Sequence, residues 1–169
     1  MKKTLASFAV VGLAMIVPAE AGQPVPGDPP AAADSNVRFA GLKTIYAASG
    51  VLDSGDPANQ GIATVVVCTN TTAQNADIRV AFYDGGGTRV GMATHTVLPV
   101  RGFTVATHGV QYLAEAALGT GGISQGLLYV QATQAAVFCS AMIANAAGTT
   151  ASGIELHLVR YNAFPGTTE

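Results

Sequence analysis

The sequence has 169 residues, 49% of them hydrophobic and only 11% charged, with 20 glycines, two cysteines, no tryptophan and a formal net charge of −2. These figures describe one modest, weakly charged domain and require no second one. Beyond the N-terminal Lys2 and Lys3 the cations (Arg38, Lys43, Arg79, Arg89, Arg101, Arg160) are scattered singly. Such a distribution excludes nucleic acid as a partner, because phosphates are neutralised by a basic patch or stripe, and it excludes a basic membrane-surface helix.

Lys2 and Lys3 precede an apolar run from Leu5 to Val17, and Ala19-Glu20-Ala21 places small residues at the two cleavage-facing positions. Residues 1–21 therefore read as a secretory signal peptide, of a short form that looks bacterial. The apolar run is shorter than the roughly 20 residues needed to cross a membrane. No cysteine follows it to accept a lipid. The expectation is export with release to the periplasm or the extracellular space, leaving no integral membrane segment after cleavage. Residues 22–36, with Pro24, Pro26, Pro29 and Pro30, read as a Pro/Ala-rich disordered leader. The folded domain is expected over residues 37–169.

Within that domain, short β-type runs alternate with Gly, Asn and Asp, and the first expected strand covers Leu42 to Ala48. Ile62 to Thr69 and Ala136 to Ala144 are apolar on both parities, which suits central strands covered on both sides. Ile78, Val80 and Phe82 alternate with Arg79, Ala81 and Tyr83, and Asp84 to Gly87 supplies turn residues before Thr88 to Leu98 resumes, which predicts a hairpin. Val110 to Leu118, rich in helix formers and followed by Gly119, predicts one short connecting helix. Leu127 to Thr133 is a further strand. Ile154 to Tyr161 is another, with Ile154, Leu156 and Leu158 facing in and Glu155, His157 and Tyr161 facing out.

About seven or eight strands with one helical turn indicate an all-β fold, an antiparallel β-sandwich. Cys68 and Cys139 sit within the two doubly apolar runs; in an oxidising compartment they are expected to form one disulfide, and they lack the CxxC spacing of a redox or metal pair. In strand count and cysteine placement the chain resembles the immunoglobulin-like sandwiches. That resemblance implies a bridge between the two sheets. It extends no further, since there is no tryptophan to pack on the bridge and Val137, not tyrosine, stands two residues before Cys139.

No nucleophile motif is present: Ser124, Ser140 and Ser152 lie in no elbow context. Asp53, Asp56 and Asp84 adjoin glycines and read as turn residues rather than a glycosidase pair. Asp53, Asp56 and Asn59 offer oxygens for calcium but lack the EF-hand spacing, so a plain loop is the preferred reading. Asn70-Thr71-Thr72 matches a glycosylation acceptor.

The histidines stand out because Ala-Thr-His occurs twice, ending at His95 and at His108, on either side of Arg101-Gly102. A hairpin centred there would pair His95 with His108 and place Met92, Leu98, Phe103 and Val105 in the core. Both imidazoles would then face solvent, about 5 Å apart at Cβ, and replacement of His108 by Gln would be nearly neutral at pH 8. With the outward His157 they are candidate ligands for copper or zinc. The sequence thus suggests a secreted, non-enzymatic β-sandwich acting on an unknown protein or surface ligand as a binding or surface-associated structural module. The alternative is a periplasmic copper- or zinc-binding protein that uses surface histidines.

Overall fold

The computed structural model describes residues 41–161. The expected signal peptide, the leader and the first residues of the expected domain lie outside the described residues, as do residues 162–169. The described chain is all-β, in strands β1 (Lys43–Asp53), β2 (Ile62–Asn70), β3 (Ala76–Tyr83), β4 (Arg89–Val97), β5 (Arg101–Ala106), β6 (Ala116–Ala117), β7 (Ile123–Ala132), β8 (Val137–Asn145), β9 (Gly153–Leu156) and β10 (Val159–Arg160). They form two five-stranded sheets, with orders β10-β1-β7-β3-β4 (sheet A) and β6-β5-β2-β8-β9 (sheet B). Every pairing is antiparallel except β5 with β6.

Strand parity builds the core. Ile78, Val80 and Phe82 of β3 and Leu128 and Val130 of β7 point inward, where they meet Val66, Cys68 and Val105 of sheet B. The opposite parity of β2 is buried as well. Ala63 and Val65 pack with Ala106, Val110, Ala144 and Ala146 in a second cluster, which Tyr112 and Leu113 partly cover. The doubly apolar sequence of β2 thus has the expected cause: sheet A lies over one face and residues 110–113 over the other.

Those residues belong to the stretch expected as a helix, and no helix forms there. Its backbone groups go elsewhere. The Gln111 amide donates to the Ala146 carbonyl (3.0 Å) and that of Leu118 to Ala106 (3.0 Å), the Glu115 carboxylate accepts from the Val110 amide (2.7 Å), and Ala116–Ala117 extends sheet B as β6. Helix propensity amounts to tenths of a kcal/mol per residue, too little to prevail over docking on a buried sheet face.

The β3–β4 hairpin forms as expected, with Asp84 Oδ1 accepting from the amides of Gly86 (2.9 Å) and Thr88 (2.8 Å). The expected β4–β5 hairpin does not. β4 pairs with β3 in sheet A and β5 with β2 in sheet B, so the chain changes sheets at Leu98 to Arg101. Pro99 and Val100 occupy the turn centre, Val100 at φ 56°, and the Arg101 amide returns to the Leu98 carbonyl (3.2 Å). Glycine usually takes such a site, and a β-branched residue there is strained. Asn70 holds the turn from outside: its carbonyl accepts from the Val100 amide (2.9 Å) and its side-chain amide donates to the Val97 carbonyl (3.0 Å). The expected last strand likewise divides, into β9 in sheet B and β10 in sheet A, leaving Ile154 72% exposed instead of facing in.

Cys68 and Cys139 are directly paired in the β2–β8 ladder and disulfide-bonded. The bridge therefore links neighbouring strands of one sheet, on its inner face, and not the two sheets as the immunoglobulin-like outline implied. It closes a sequence separation of 71 residues, worth about 4 kcal/mol in the chain-entropy model. The double variant Cys68→Ala/Cys139→Ala is expected to lose about that much stability in urea titration, and the oxidised protein to show no alkylatable thiol by intact mass. Recovery of two free thiols from an oxidising compartment would contradict the assignment.

Candidate functional site

Where β1 ends, Asp53 meets residues from three later parts of the chain. The His108 Nδ1 lies 2.9 Å from Asp53 Oδ2, and its Nε2 lies 2.9 Å from the Gln60 carbonyl oxygen. Thr120 Oγ1 donates to Asp53 Oδ2 (3.2 Å) and the Gly55 amide to Asp53 Oδ1 (2.6 Å). Both residues of the pair are 5% exposed. A carbonyl oxygen only accepts, so Nε2 carries a hydrogen; facing a carboxylate, Nδ1 shares a second proton with it. The pair is an imidazolium–carboxylate contact or its neutral tautomer, with both ring nitrogens occupied.

The local sequence explains the placement. Thr107 precedes His108 and locks the end of β5 to β2, its hydroxyl accepting from the Thr64 amide (3.1 Å) and its amide donating to the Thr64 carbonyl (3.0 Å). His108 then projects toward the 54–61 loop, where the Asn59 amide donates to the Gly109 carbonyl (2.8 Å). Chemically the cluster is a clasp. With no ring nitrogen open to a substrate, it does not make a general base, and Asp53, engaged on both oxygens, is not a vacant cation ligand.

The other sequence candidates lie apart. His95, opposite Ile78 on β4, has core-side parity at the sandwich margin and stacks on Phe103 at 4.9 Å between ring centroids. The parity of β4 is the reverse of that expected, Val97 being buried and Leu98 55% exposed, while His95 itself is exposed as expected. His157 is exposed between β9 and β10. The expected His95–His108 pairing is thus overturned, because their strands belong to different sheets, and so is the expectation of a solvent-facing His108. Among the described residues no group of three or more His, Cys, Asp and Glu is arranged to hold a metal ion. Asn70 is fully buried, and its side-chain oxygen accepts from the Thr72 amide and hydroxyl, so this Asn-Thr-Thr serves as a structural turn.

Parity reasoning did not single out the outer face of sheet A. Tyr129 and Leu127 of β7 point outward between Ala47 and Ser49 of β1 and Ala81 and Tyr83 of β3. Tyr83 and Tyr129 meet edge to face, centroids 5.7 Å apart. Along β1 and β7 lie two open depressions. One, of about 230 Å³, runs from Val159 and Tyr161 across Ala47 to Tyr129; the other, of about 450 Å³, reaches Gly50, Leu52, Asp84 and Gln125. They share Ser49 and Leu127. The signal available in the sequence was the tyrosine on the polar parity of two otherwise apolar strands.

Comparison of the chain with protein-family models, with curated proteins and with solved structures finds no match.

Two predictions follow from this geometry. His108→Ala leaves Asp53 buried without its main partner, and its expected cost is about 3 kcal/mol in urea unfolding, with faster proteolysis in the 54–61 loop; an unchanged midpoint would show that the clasp contributes nothing. The Tyr83 phenol is raised above its ordinary 10.0, chiefly by burial and further by Tyr129, against the lowering charges of Arg89 and Arg79. A raised phenol binds its proton more tightly folded than unfolded, so its contribution is complete below pH 10 and declines as pH rises through the folded value. Tyr83→Phe should therefore make the alkaline fall in melting temperature shallower.

Proposed function

We propose that the chain works outside the cytoplasm as a non-catalytic β-sandwich, a binding or surface-associated structural module. The observation that carries this reading is the state of His108: the histidine in contact with a carboxylate has both ring nitrogens bound within the fold, which takes the carboxylate-paired imidazole out of use as a base toward a substrate. Export is supported by the basic-then-apolar N-terminus with its small cleavage residues, and by a disulfide within a small sandwich, the cross-link of oxidising compartments.

Expressed in a bacterial host with its leader intact, the protein is expected in the periplasmic or culture fraction, beginning at Gly22. It is expected to be inert toward chromogenic ester, phosphate, peptide and glycoside substrates. Turnover that follows the chain through successive chromatographic steps would overturn the non-catalytic reading, and retention of Met1 in the exported form would overturn the leader assignment.

A further inference from the structure

We infer that the paired depressions on the outer face of sheet A form one trough that binds an uncharged carbohydrate chain; this deepens the binding-module reading and rests on it. Two independent observations mark the trough as built. The first is its continuity, two depressions joined at Ser49 and Leu127. The second is a disruption of the β1–β7 ladder at the same place, with register shifts between Ser49 and Val51 and between Val51 and Asp53. Gly50, at φ 85°, is the extra residue of the first shift. Bulges re-aim side chains and recur beside functional sites. Across the strand, Gly126 brings only backbone to the trough; a Cβ there would point inward, within 2.6 Å of the Ile123 side chain and 3.0 Å of Val51, so the core packing requires glycine at this position.

The lining chemistry selects the ligand class. No lysine or arginine lines either depression. The one carboxylate, Asp84, is already hydrogen-bonded to its own turn through Oδ1. The lining itself therefore offers an anion no cationic side chain, and Arg89 and Arg79, which act on the buried Tyr83 beside the trough, do not line it. Tyrosines 129 and 161 with Leu127 and Val159 supply an apolar half, while Ser49, Ser124 and Gln125 supply neutral hydrogen-bonding groups at the other end. A sugar ring has the same two-sided character, with a C–H face that packs on aromatic rings and a rim of hydroxyls that bond to amides and alcohols. The open shape suits a chain lying along the surface more than a small apolar molecule, which needs enclosure. An extended peptide binds by adding to a free strand edge, and the trough lies over the faces of β1 and β7, which already pair with each other.

The test is affinity electrophoresis of the full chain through gels containing neutral polysaccharides: a β-glucan, an α-glucan, xylan and mannan. At least one is expected to retard it, and the retardation should survive raised salt. Tyr129→Ala is expected to weaken binding about tenfold or more, the loss of roughly 1.4 kcal/mol, and Gln125→Ala several-fold. Tyr161→Ala serves as a second aromatic variant should loss of the Tyr83 contact destabilise Tyr129→Ala, and Ile154→Ala on the exposed part of sheet B should have no effect. With five tyrosines and no tryptophan in the sequence, a change in tyrosine fluorescence on adding the retarding polysaccharide gives an independent readout. No retardation by any of the four, retardation abolished by salt, or retardation insensitive to Tyr129, Tyr161 and Gln125 variants would each overturn the inference. Binding of an extended peptide that depends on these residues, without carbohydrate binding, would overturn the ligand class and leave the binding-module reading intact.

Discussion

Strand β2 has no face to give to water: Ala63, Val65, Val66 and Cys68 are all fully buried. A sheet strand buried on both sides needs two covering layers, and much of the chain's course follows from supplying them. Sheet A covers the Val66–Cys68 side. The other side requires a stretch of chain to leave β5, cross over Ala63 and Val65, and reach Ala146, which is the path of residues 108–113. The Asp53–His108 contact fixes where that path begins, and Thr107 bonded to Thr64 fixes its register against β2. Thr64 also uses its hydroxyl to accept from the Leu52 amide and donate to the Leu52 carbonyl. One strand thereby ties both sheets and the covering segment together.

This dependence separates what was legible in the sequence from what was not. The fold class, the double covering of β2, the Asp84 hairpin and the cysteine pair were legible because parity and turn chemistry are local properties, whereas β8, equally apolar on both parities, leaves part of its outer face uncovered, with Phe138 56% exposed and Ser140 exposed. The helix over Val110 to Leu118 was misread because local propensity is weak beside the burial of Ala63 and Val65, which lie far away in sequence. The β4–β5 hairpin failed for a related reason. Pro99 suits a turn, but Val100 gives no sign of a positive φ. What holds it there is Asn70, whose contacts no local pattern discloses. Centring the turn on Arg101-Gly102 then inverted the parity of β4, the usual result of a small register error in a strand, and His95 is exposed because it stands at the sandwich margin and not because it lies on the outer face.

The histidine symmetry shows how a sequence repeat can mislead. Both copies read Ala-Thr-His, yet the two threonines do different work. Thr94 accepts from the Arg79 guanidinium at the edge of sheet A (3.1 Å), whereas Thr107 is buried in the link to β2. The histidines inherit that difference, one stacked on Phe103 at the sandwich margin and one enclosed against Asp53. Asp53, read as a turn residue, has that role through the Gly55 amide and a second role as the anchor of His108.

The two outer faces of the sandwich differ for a physical reason. The chain folds back over the part of sheet B centred on Ala63 and Val65, and close coverage there favours alanine and valine, as at Ala63, Val65, Ala106 and Ala144. On sheet A, the corresponding outward positions Ala47, Leu127, Tyr129 and Met92 remain partly exposed. A tyrosine tolerates that setting because its ring can pack while its hydroxyl stays wet. Tyr83 is buried on this outward face in edge-to-face contact with Tyr129. The ring of Tyr129 is therefore positioned by a neighbour, on strands whose backbones pair with β1, β3 and β7. Rigid placement lowers the ordering cost of binding, so an aromatic ring held in this way on a partly exposed sheet face is already organised for contact with a flat ligand surface.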